Sequence, residues 1–290
     1  MKIVILGCTG YVGSRFYMSA LHRRHTVDVI TRQSANAADY KNLKDVLSVL
    51  NPDFVINAAG YTGKPNVDAC ELNKDETIIG NVVLPQVVAQ VCDTLGIRWG
   101  HVSSGCIYAG TKGKKGFTEK DEPNFSFDNP PCSFYSGTKA LGEKVLMSNY
   151  DTPYIWRLRI PFDEYNGPRN YLTKLMKYDK LLRARNSVSH RREFVEACFS
   201  LAEDGAPRGI YNVCNPGSIT TEQVVKLIKK RLKLKKKFEF FDDEDDFMGN
   251  VKTYRSNCVM DVTKLLKAGV RMSPVQDALD MALKDWKDNV

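Results

Sequence analysis

The sequence predicts an α/β fold, a Rossmann-like doubly wound parallel sheet with a smaller C-terminal substrate-binding region. Two observations lead to this prediction. Short β-branched runs alternate with helical patterns through the first half of the chain, as parallel strands joined by crossover helices do. A glycine-rich segment from Gly7 to Gly13 follows the first of these runs and opens the first helical pattern, where a phosphate-binding loop is expected.

The elements of the first half follow in order along the chain. Apolar β-branched runs predict strands, and apolar residues at helical spacing predict helices. Strands are expected at Lys2–Leu6, Val27–Thr31, Phe54–Asn57, Arg98–Ser103 and Tyr154–Ile160. Helices are expected at Tyr11–Arg23, Tyr40–Leu50, Glu76–Leu95 and Tyr135–Met147. Pro85 is expected to kink the third of these helices, because proline has no N–H for the helical ladder.

The pattern loosens after Pro161. A helix is expected at Asn170–Tyr178 and strands at Ile210–Val213 and Phe238–Phe241, and Pro274 opens a last helix that runs through Trp286. Thr220 and Gln223 have the spacing of a capping box. We therefore expect residues 1–161 to bind a cofactor. Residues 162–290 mainly bind the substrate, with a segment near 190–215 returning to the first domain.

Charge and composition limit the functional classes. Among 290 residues, 42 Lys and Arg face 34 Asp and Glu, a net charge of +8, and 43% of residues are hydrophobic. Much of the basic charge lies in Lys226–Lys237, where apolar residues at helical spacing predict a solvated helix face. Neither a nucleic-acid-binding module nor a long apolar run is present. We expect no nucleic-acid or membrane partner.

Eight cysteines are scattered without any C-x-x-C pair. That spacing is expected of zinc sites and redox pairs, so we expect free thiols, no metal and a cytoplasmic location. The histidines His22, His25 and His101 have no ligand-spaced partner in the sequence, and we expect structural or surface roles for them.

The glycine-rich segment predicts a nucleotide cofactor. Glycine permits a tight turn, close approach of the backbone to a pyrophosphate and close packing of helix on strand. The second strand is followed by Arg32 rather than by the acid that commonly binds a ribose hydroxyl. An arginine there suits a 2′-phosphate, which favours NADPH over NADH. The expected cofactor-binding residues are Gly7, Thr9, Gly10, Tyr11, Val12, Gly13, Arg32, and the turn after the third strand, Ala58, Ala59 and Gly60.

A second motif predicts the reacting centre. Tyr135 and Lys139 form Y-x-x-x-K at the start of a predicted helix, so that one turn places both side chains on one face. We expect the ammonium to lower the pKa of the phenol, letting Tyr135 exchange a proton with substrate while both residues contact the cofactor. Ser104, at the end of a predicted strand, is expected to hydrogen-bond the same carbonyl oxygen.

Six segments together resemble a known family over residues 1 to about 285. The resemblance is to the bifunctional UDP-4-keto-6-deoxyglucose 3,5-epimerase/4-reductases of plants and large DNA viruses, which are extended short-chain dehydrogenase/reductases related to the dTDP-4-dehydrorhamnose reductases. The segments are Ala59–Asp68, Ser104–Tyr108, Asp121–Phe125, Ser133–Ser136, Pro168–Asn170 and Arg255–Asn257.

The resemblance implies a thiol–amine pair for epimerisation. In that family a cysteine of a G-C-I segment and a lysine of an R-N-[FY]-[LI]-T-K segment exchange protons beside the ketone. These positions match Cys106 and Lys174. Both groups can be tuned to titrate near neutrality. The sequence leaves open which of the two is acid and which is base.

The resemblance also implies contacts to a UDP-sugar, with Arg255 matching a diphosphate ligand and Asn170 a nucleotide contact. Asp39 matches a residue that binds the adenine of the cofactor and is placed with the cofactor-binding residues. Asn66 belongs to an unusual motif of the family and is placed with the substrate-binding residues. The segment His190-Arg191-Arg192 departs from the family pattern, and we expect its arginines to point to solvent.

Three functions remain open at this point. The first is the bifunctional epimerase and NADPH-dependent reductase that yields UDP-L-rhamnose. The second is a reductase of another nucleotide-linked 4-keto-6-deoxy sugar, such as a 2-acetamido form. The third is a catalytically silent NADP-binding regulatory subunit, against which the pair Cys106 and Lys174 argues. A homodimer is compatible with the sequence, which leaves the oligomeric state open.

Overall fold

A computed structural model describes residues 1–150 and 153–288. The helices are α1 Tyr11–His22, α2 Tyr40–Leu50, α3 Asp68–Leu72, α4 Lys74–Ile78, α5 Leu84–Leu95, α6 Phe134–Asn149, α7 Tyr171–Lys177, α8 Arg191–Glu203, α9 Thr221–Leu232, α10 Glu244–Met248, α11 Thr263–Lys267 and α12 Val275–Lys284. The strands are β1 Lys2–Leu6, β2 Thr26–Ile30, β3 Phe54–Asn57, β4 Arg98–Ser104, β5 Tyr154–Leu158, β6 Pro161–Phe162, β7 Lys180–Leu181, β8 Arg185–Asn186, β9 Ser189–His190, β10 Gly209–Asn212, β11 Ile219–Thr220 and β12 Glu239–Phe240.

Six parallel strands form the central sheet in the order β2-β1-β3-β4-β5-β10. Alternate residues of β1 face opposite cores, with Ile3 and Ile5 on one side and Val4 and Leu6 on the other. Helices α1 and α8 cover the first face, and α2, α5 and α6 cover the second. The predicted Rossmann-like parallel fold is confirmed. The strand order changes direction between β1 and β3, and ligands bind at the carboxyl end of such a switch point.

The helix predicted over Glu76–Leu95 begins two residues earlier and runs as α4, a π-helical turn at Ile79–Val83, and α5. Pro85 lies in the first turn of α5. Since it offers no N–H to the helical ladder, the backbone before it widens into the π turn. Among the described residues this is the one helix long and apolar enough to cross a membrane, yet half of its apolar stretch is buried in the fold.

The segment 190–215 contributes α8 and β10 to the first sheet. Strand β10 pairs with β5, and α8 packs on α1. Sequence patterns missed α8 altogether, and the domain division at residue 161 remains a prediction. The third core, in the C-terminal part, lies between α7, α9 and α12.

The lysine-rich helix α9 begins with the predicted capping box of Thr220 and Gln223. Its apolar residues Val224, Val225 and Ile228 are buried, whereas Lys226, Lys229 and Lys230 are exposed. The prediction of a solvated basic face is confirmed.

Candidate active site

The glycine-rich loop has the shape that a pyrophosphate requires. Gly7 adopts φ +81, and a Cβ on it would meet the backbone nitrogen of Ala59 at 2.6 Å. A Cβ on Gly13 would lie 2.0 Å from the carbonyl oxygen of Gly7. No side chain caps the N-terminus of α1 at Gly10, so its first N–H groups are available to an anion. Thr9, Tyr11 and Val12 complete this loop and the first helical turn.

The turn after β3 forms the other wall of the cradle. Ala58 donates its backbone N–H to Leu6, and Ala59 donates to the side chain of Asn57. The next residues, Gly60 and Tyr61, are held by Asn81. This side chain accepts from the N–H of Tyr61 at 2.9 Å and donates to its carbonyl at 2.9 Å.

Asn81 belongs to the π-helical turn and is 1% exposed. It also donates to Thr138 of α6. A π turn in a long helix is often tied to a functional site, and here it joins the cofactor turn to the helix that carries the reacting tyrosine. Sequence analysis missed Asn81. The sequence offers one indication of its burial, namely that it lies three residues after the apolar Ile78 and so on the same side of the predicted helix.

Arg32 and Asp39 lie after β2, at the side of the cradle. Arg32 is exposed in the turn that follows the strand. Asp39 is exposed as well, but its carboxylate caps α2 by accepting from the N–H of Asn42 at 2.8 Å. Arg32 remains a candidate for a 2′-phosphate, whereas Asp39 has a structural role that the sequence prediction did not include.

The structure brings Tyr135, Lys139 and Ser104 together. Ser133 caps α6 by accepting from the N–H of Ser136 at 3.1 Å, which places Tyr135 and Lys139 one turn apart on one face. Lys139 is 5% exposed, and its ammonium donates to the carbonyl of Val102 at 3.2 Å. Tyr135 is hydrogen-bonded to Ser104. The predicted grouping of these three residues is thus present in the fold.

The pKa of Tyr135 differs from the expectation. Burial raises the pKa of its phenol, the neighbouring Cys106 raises it further, and the hydrogen bond to Ser104 lowers it. We expected the ammonium of Lys139 to lower this pKa, but burial dominates. Tyr135 is therefore a neutral phenol at neutral pH and is poised to donate a proton.

Lys139 shows the opposite shift. Burial lowers the pKa of its ammonium to about 8, although the carboxylate of Glu143 and the sulfur of Cys106 oppose that change. His101, which we expected to be structural or at the surface, is buried with Nε2 3.5 Å from the Lys139 nitrogen. Burial and that ammonium lower the pKa of His101 well below its usual value, so His101 is neutral beside the lysine.

Cys106 lies in the short 3-10 turn Gly105–Ile107 that follows β4. Its N–H donates to the Ser104 hydroxyl at 3.2 Å, and the residue is partly exposed. Nη1 of Arg159 donates to Sγ at 2.9 Å. The sulfur is close enough to Tyr135 and Lys139 to affect both of their pKa values. Cys106 thus joins the Y-x-x-x-K group rather than a hydrocarbon core.

Lys174 and Arg255 are neighbours in the C-terminal part of the fold. Burial lowers the pKa of Lys174, and the positive charges of Arg169 and Arg255 lower it further. Arg255 forms an ion pair with Asp68 at 2.8 Å, and Arg169 donates to the carbonyl of Gly63 at 2.8 Å. Arg169 and Arg255 thus contact the motif 59–68, where two guanidinium groups suit a diphosphate.

Asn66 and Asn170 are used in local structure. The Asn66 side chain accepts from the N–H of Asp68 at 2.8 Å. Asn170 is fully buried; it caps α7 by accepting from Leu172 and donates to Asp163 and Tyr165. The Asn170 side chain is thus already bonded within the protein, and its contact with the nucleotide stays a prediction.

The segment His190-Arg191-Arg192 also requires a correction. Arg192 is exposed, as expected. Arg191 is not: its Nε lies 2.6 Å from Asp163, Nη1 donates to the Tyr11 carbonyl at 2.9 Å, and the guanidinium stacks on the Tyr11 ring. His190 is buried beside Glu164. Arg191, which departs from the family pattern, thus connects Tyr11 of the cofactor loop to Asp163 in the C-terminal part of the fold.

Within residues 1–150 and 153–288, no group of three His, Cys, Asp or Glu side chains is arranged to hold a metal ion. The same residues include eight free cysteines.

Comparison with known proteins decides the family. The RmlD substrate binding domain family matches residues 1–287. The chain belongs to this family. An Arabidopsis thaliana relative, a bifunctional dTDP-4-dehydrorhamnose 3,5-epimerase/dTDP-4-dehydrorhamnose reductase, is 30% identical over 96% of this chain and 91% of its own length.

Longer relatives contain a similar region. An Arabidopsis thaliana trifunctional UDP-glucose 4,6-dehydratase/UDP-4-keto-6-deoxy-D-glucose 3,5-epimerase/UDP-4-keto-L-rhamnose-reductase is 34% identical over 96% of this chain. The RmlD-family chain described here spans 41% of the length of that relative.

Solved structures share the RmlD-family fold. The UDP-rhamnose synthase of Acanthamoeba polyphaga mimivirus has a TM-score of 0.89 at 23% identity, covering 98% of this chain and 99% of that one. The Bacillus anthracis dTDP-4-dehydrorhamnose reductase in complex with NADP has a TM-score of 0.81 at 17% identity, covering 98% of each chain.

Proposed function

We propose that this chain is a bifunctional 3,5-epimerase and NADPH-dependent 4-reductase that converts UDP-4-keto-6-deoxy-D-glucose to UDP-L-rhamnose. The observation that carries the proposal is the position of Cys106, a partly exposed residue whose sulfur lies close enough to Tyr135 and Lys139 to affect the pKa values of both. An epimerising thiol and a reducing phenol thus act on one ring. Two relatives are named for both activities, which supports the combination of epimerase and reductase; one of them is named for a UDP-sugar and the other for a dTDP-sugar.

The loop fits a dinucleotide because no side chain caps the start of α1 and because glycine at positions 7 and 13 lets the loop pack closely on Ala59 and on its own backbone. NADPH, when bound, supplies the hydride for carbon 4 of the sugar. The loop Gly7–Gly13 would hold its pyrophosphate, and Arg32 its 2′-phosphate.

Reduction requires a proton and charge stabilisation at the ketone oxygen. Tyr135 supplies the proton, since burial keeps its phenol neutral. Ser104 donates a second hydrogen bond to the same oxygen. The ammonium of Lys139, held on the Val102 carbonyl, stabilises negative charge as it develops on the phenol.

Epimerisation requires proton removal at carbons 3 and 5 and proton return on the other face of each carbon. Removal breaks a C–H bond and moves its electron pair toward the ketone oxygen, where Ser104 and Tyr135 donate hydrogen bonds. Cys106 and Lys174 are the proposed acid–base pair. The lowered pKa of Lys174 suits an amine that exchanges protons near neutral pH.

One experiment tests this proposal. Purified protein is given UDP-4-keto-6-deoxyglucose and NADPH, with NADPH absorbance followed in ordinary water and sugar labelling followed in deuterated water. We expect NADPH oxidation with deuterium at carbons 3 and 5. Oxidation without labelling would leave only a reductase, and tight NADPH binding without turnover would indicate a regulatory subunit. If the protein turns over only the 2-acetamido analogue of this sugar, the proposed substrate is wrong.

The reduction is expected to weaken at alkaline pH. Lys139 has its pKa lowered to about 8, so its charge is present below that pH and is lost above it. We expect kcat/KM for reduction of UDP-4-keto-L-rhamnose to be level from neutrality to about pH 8 and then to fall roughly tenfold per pH unit. The rate is measured by stopped flow in the Cys106→Ala variant, so that the profile reports on the reduction without the cysteine. A level profile through pH 10 would contradict the assigned role of Lys139.

Arg32 is expected to select the phosphorylated cofactor. Arg32→Gln removes a charged donor without disturbing a buried contact, since the residue is exposed. We expect the Kd for NADPH to rise about tenfold and that for NADH to stay unchanged, the range of one charged hydrogen bond. Fluorescence titration measures both. Arg98→Gln, an exposed site at the opposite end of the sheet, is the matched control, and equal losses for the two cofactors would contradict the prediction.

A further inference from the structure

Arg159 is a buried cation without a carboxylate partner among residues 1–150 and 153–288. It follows β5 and is 2% exposed. The acids that pair with other arginines in this part of the structure, such as Glu143 with Arg157 at 2.6 Å, make no ion pair with it. Its Nε is buried and has no hydrogen-bond partner among the described residues. A buried charge of this kind is costly unless an anion compensates it.

The partners of its two terminal nitrogens are specific. Nη1 donates to the sulfur of Cys106 at 2.9 Å. Nη2 donates to Oδ1 of Asn186 at 2.6 Å and to the carbonyl oxygen of Ser256. The last two acceptors are neutral and fix the guanidinium in the C-terminal part of the site. Of these three partners only Cys106 can carry a negative charge. A second thiol, that of Cys258, also faces the guanidinium, but burial raises the pKa of Cys258 and so favours its neutral form.

The parallel sheet brings the residues that follow β4 and β5 close to each other. Ser104 of β4 pairs with Leu158 of β5, so the residues that follow each strand emerge side by side at the carboxyl edge. A Cβ on Gly105 would lie 3.5 Å from Cδ of Arg159 and 2.2 Å from the sulfur of Met260. The arginine stem therefore packs along the turn that carries the cysteine.

We propose that Arg159 is a positioning residue that holds Cys106 as a thiolate, with the buried guanidinium and the partly exposed cysteine forming an ion pair beside Tyr135 and Lys139. A catalytic role for this ion pair rests on the proposed epimerisation. The existence of the ion pair does not depend on that function. Asn186 and Ser256 then orient the guanidinium, and through it the sulfur.

Other ionisable groups also face this sulfur. Tyr135 and Lys139 approach from α6, and Cys258 lies on the strand-like segment packed against Gly105, donating to its carbonyl at 3.3 Å. Lys139 is the only other cation among them. A test of the proposal has to separate the effect of Arg159 from that of Lys139.

The test measures the alkylation rate of Cys106 by iodoacetamide against pH, with the modified peptide identified by mass spectrometry and Cys106→Ala as the blank. In Arg159→Gln we expect the midpoint of the rate profile to rise by about one pH unit or more, and the rate at pH 7 to fall about tenfold. Arg159→Lys retains a charge and is expected to lie between Arg159→Gln and the parent protein. Arg185→Gln, an exposed arginine on β8, gives the same change in net charge and is expected to leave the profile unchanged.

An unchanged midpoint in folded Arg159→Gln would overturn the proposal, as would a shift seen with Lys139→Met alone. If Arg159→Gln does not fold, the proposal is tested instead by comparing the stability of the Cys106→Asp and Cys106→Asn variants. A carboxylate replaces the thiolate beside Arg159, so we expect the aspartate variant to be the more stable to urea at pH 7, and equal stability overturns the pairing. A parent protein without deuterium exchange would overturn only the epimerase function, because both measurements are independent of turnover.

Discussion

Tyr135→Phe is expected to lower kcat for sugar reduction by about 10²- to 10⁴-fold, the usual contribution of a positioned proton donor. The ring remains buried between the same neighbours, and only the hydroxyl that bonds Ser104 is removed. Loss of NADPH absorbance on UDP-4-keto-L-rhamnose measures the effect. NADPH affinity should stay near that of the parent protein, since the glycine loop is untouched.

Tyr211→Phe provides the matched control for this prediction. Tyr211 is 1% exposed and its hydroxyl donates to the carbonyl of Pro207, away from the cleft. Removal of the Tyr211 hydroxyl lowers the free energy of unfolding by the contribution of one hydrogen bond but leaves the reacting centre intact. If Tyr135→Phe and Tyr211→Phe reduce the sugar equally fast, Tyr135 is not the proton donor.

Cys106→Ala is expected to abolish deuterium incorporation at carbons 3 and 5 while reduction of UDP-4-keto-L-rhamnose continues. The expected loss of exchange is about 10²- to 10⁴-fold, again the range of acid–base catalysis. Reduction is spared because Tyr135, Ser104 and Lys139 remain. Nuclear magnetic resonance of the sugar measures exchange, and NADPH absorbance measures reduction in the same sample.

Cys92→Ala is the control for the loss of a thiol. Cys92 is buried in α5 within the second core, outside the cleft. We expect it to lower stability but to retain both activities. Equal loss of exchange and reduction in Cys106→Ala, with the control active, would assign Cys106 a structural role and leave an ordinary ketone reductase.

Local signals explain the successful part of the sequence prediction. Strands β1 and β3 and helix α2 occur at their predicted bounds, because the hydrophobic pattern that predicts each of them lies within a short run of neighbouring residues. The capping box of α9 and the one-turn spacing of Tyr135 and Lys139 are equally local. Helix α8 was missed because no side chain caps its start at His190, so the sequence carries no start signal there.

Local sequence patterns could not predict the residues that complete the site. Asn81 clamps a turn twenty positions earlier, and Arg191 reaches Tyr11 across 180 positions. An arginine in a sequence carries no mark of its burial, because burial depends on which acceptors the folded chain brings to it. This is why Arg191 was expected in solvent and why Arg159 was not singled out.

The sequence by itself determined the parallel α/β fold, the phosphate loop and the Tyr135–Lys139 motif, because periodicity, glycine placement and one-turn spacing act over a few residues. Only the tertiary structure decided the environment of those groups. Burial reversed the expected pKa shift of Tyr135, and the adjacency of β4 and β5 placed Arg159 on the sulfur of Cys106. Desolvation and charge pairing depend on neighbours that are distant in sequence, and these set the chemistry of the site.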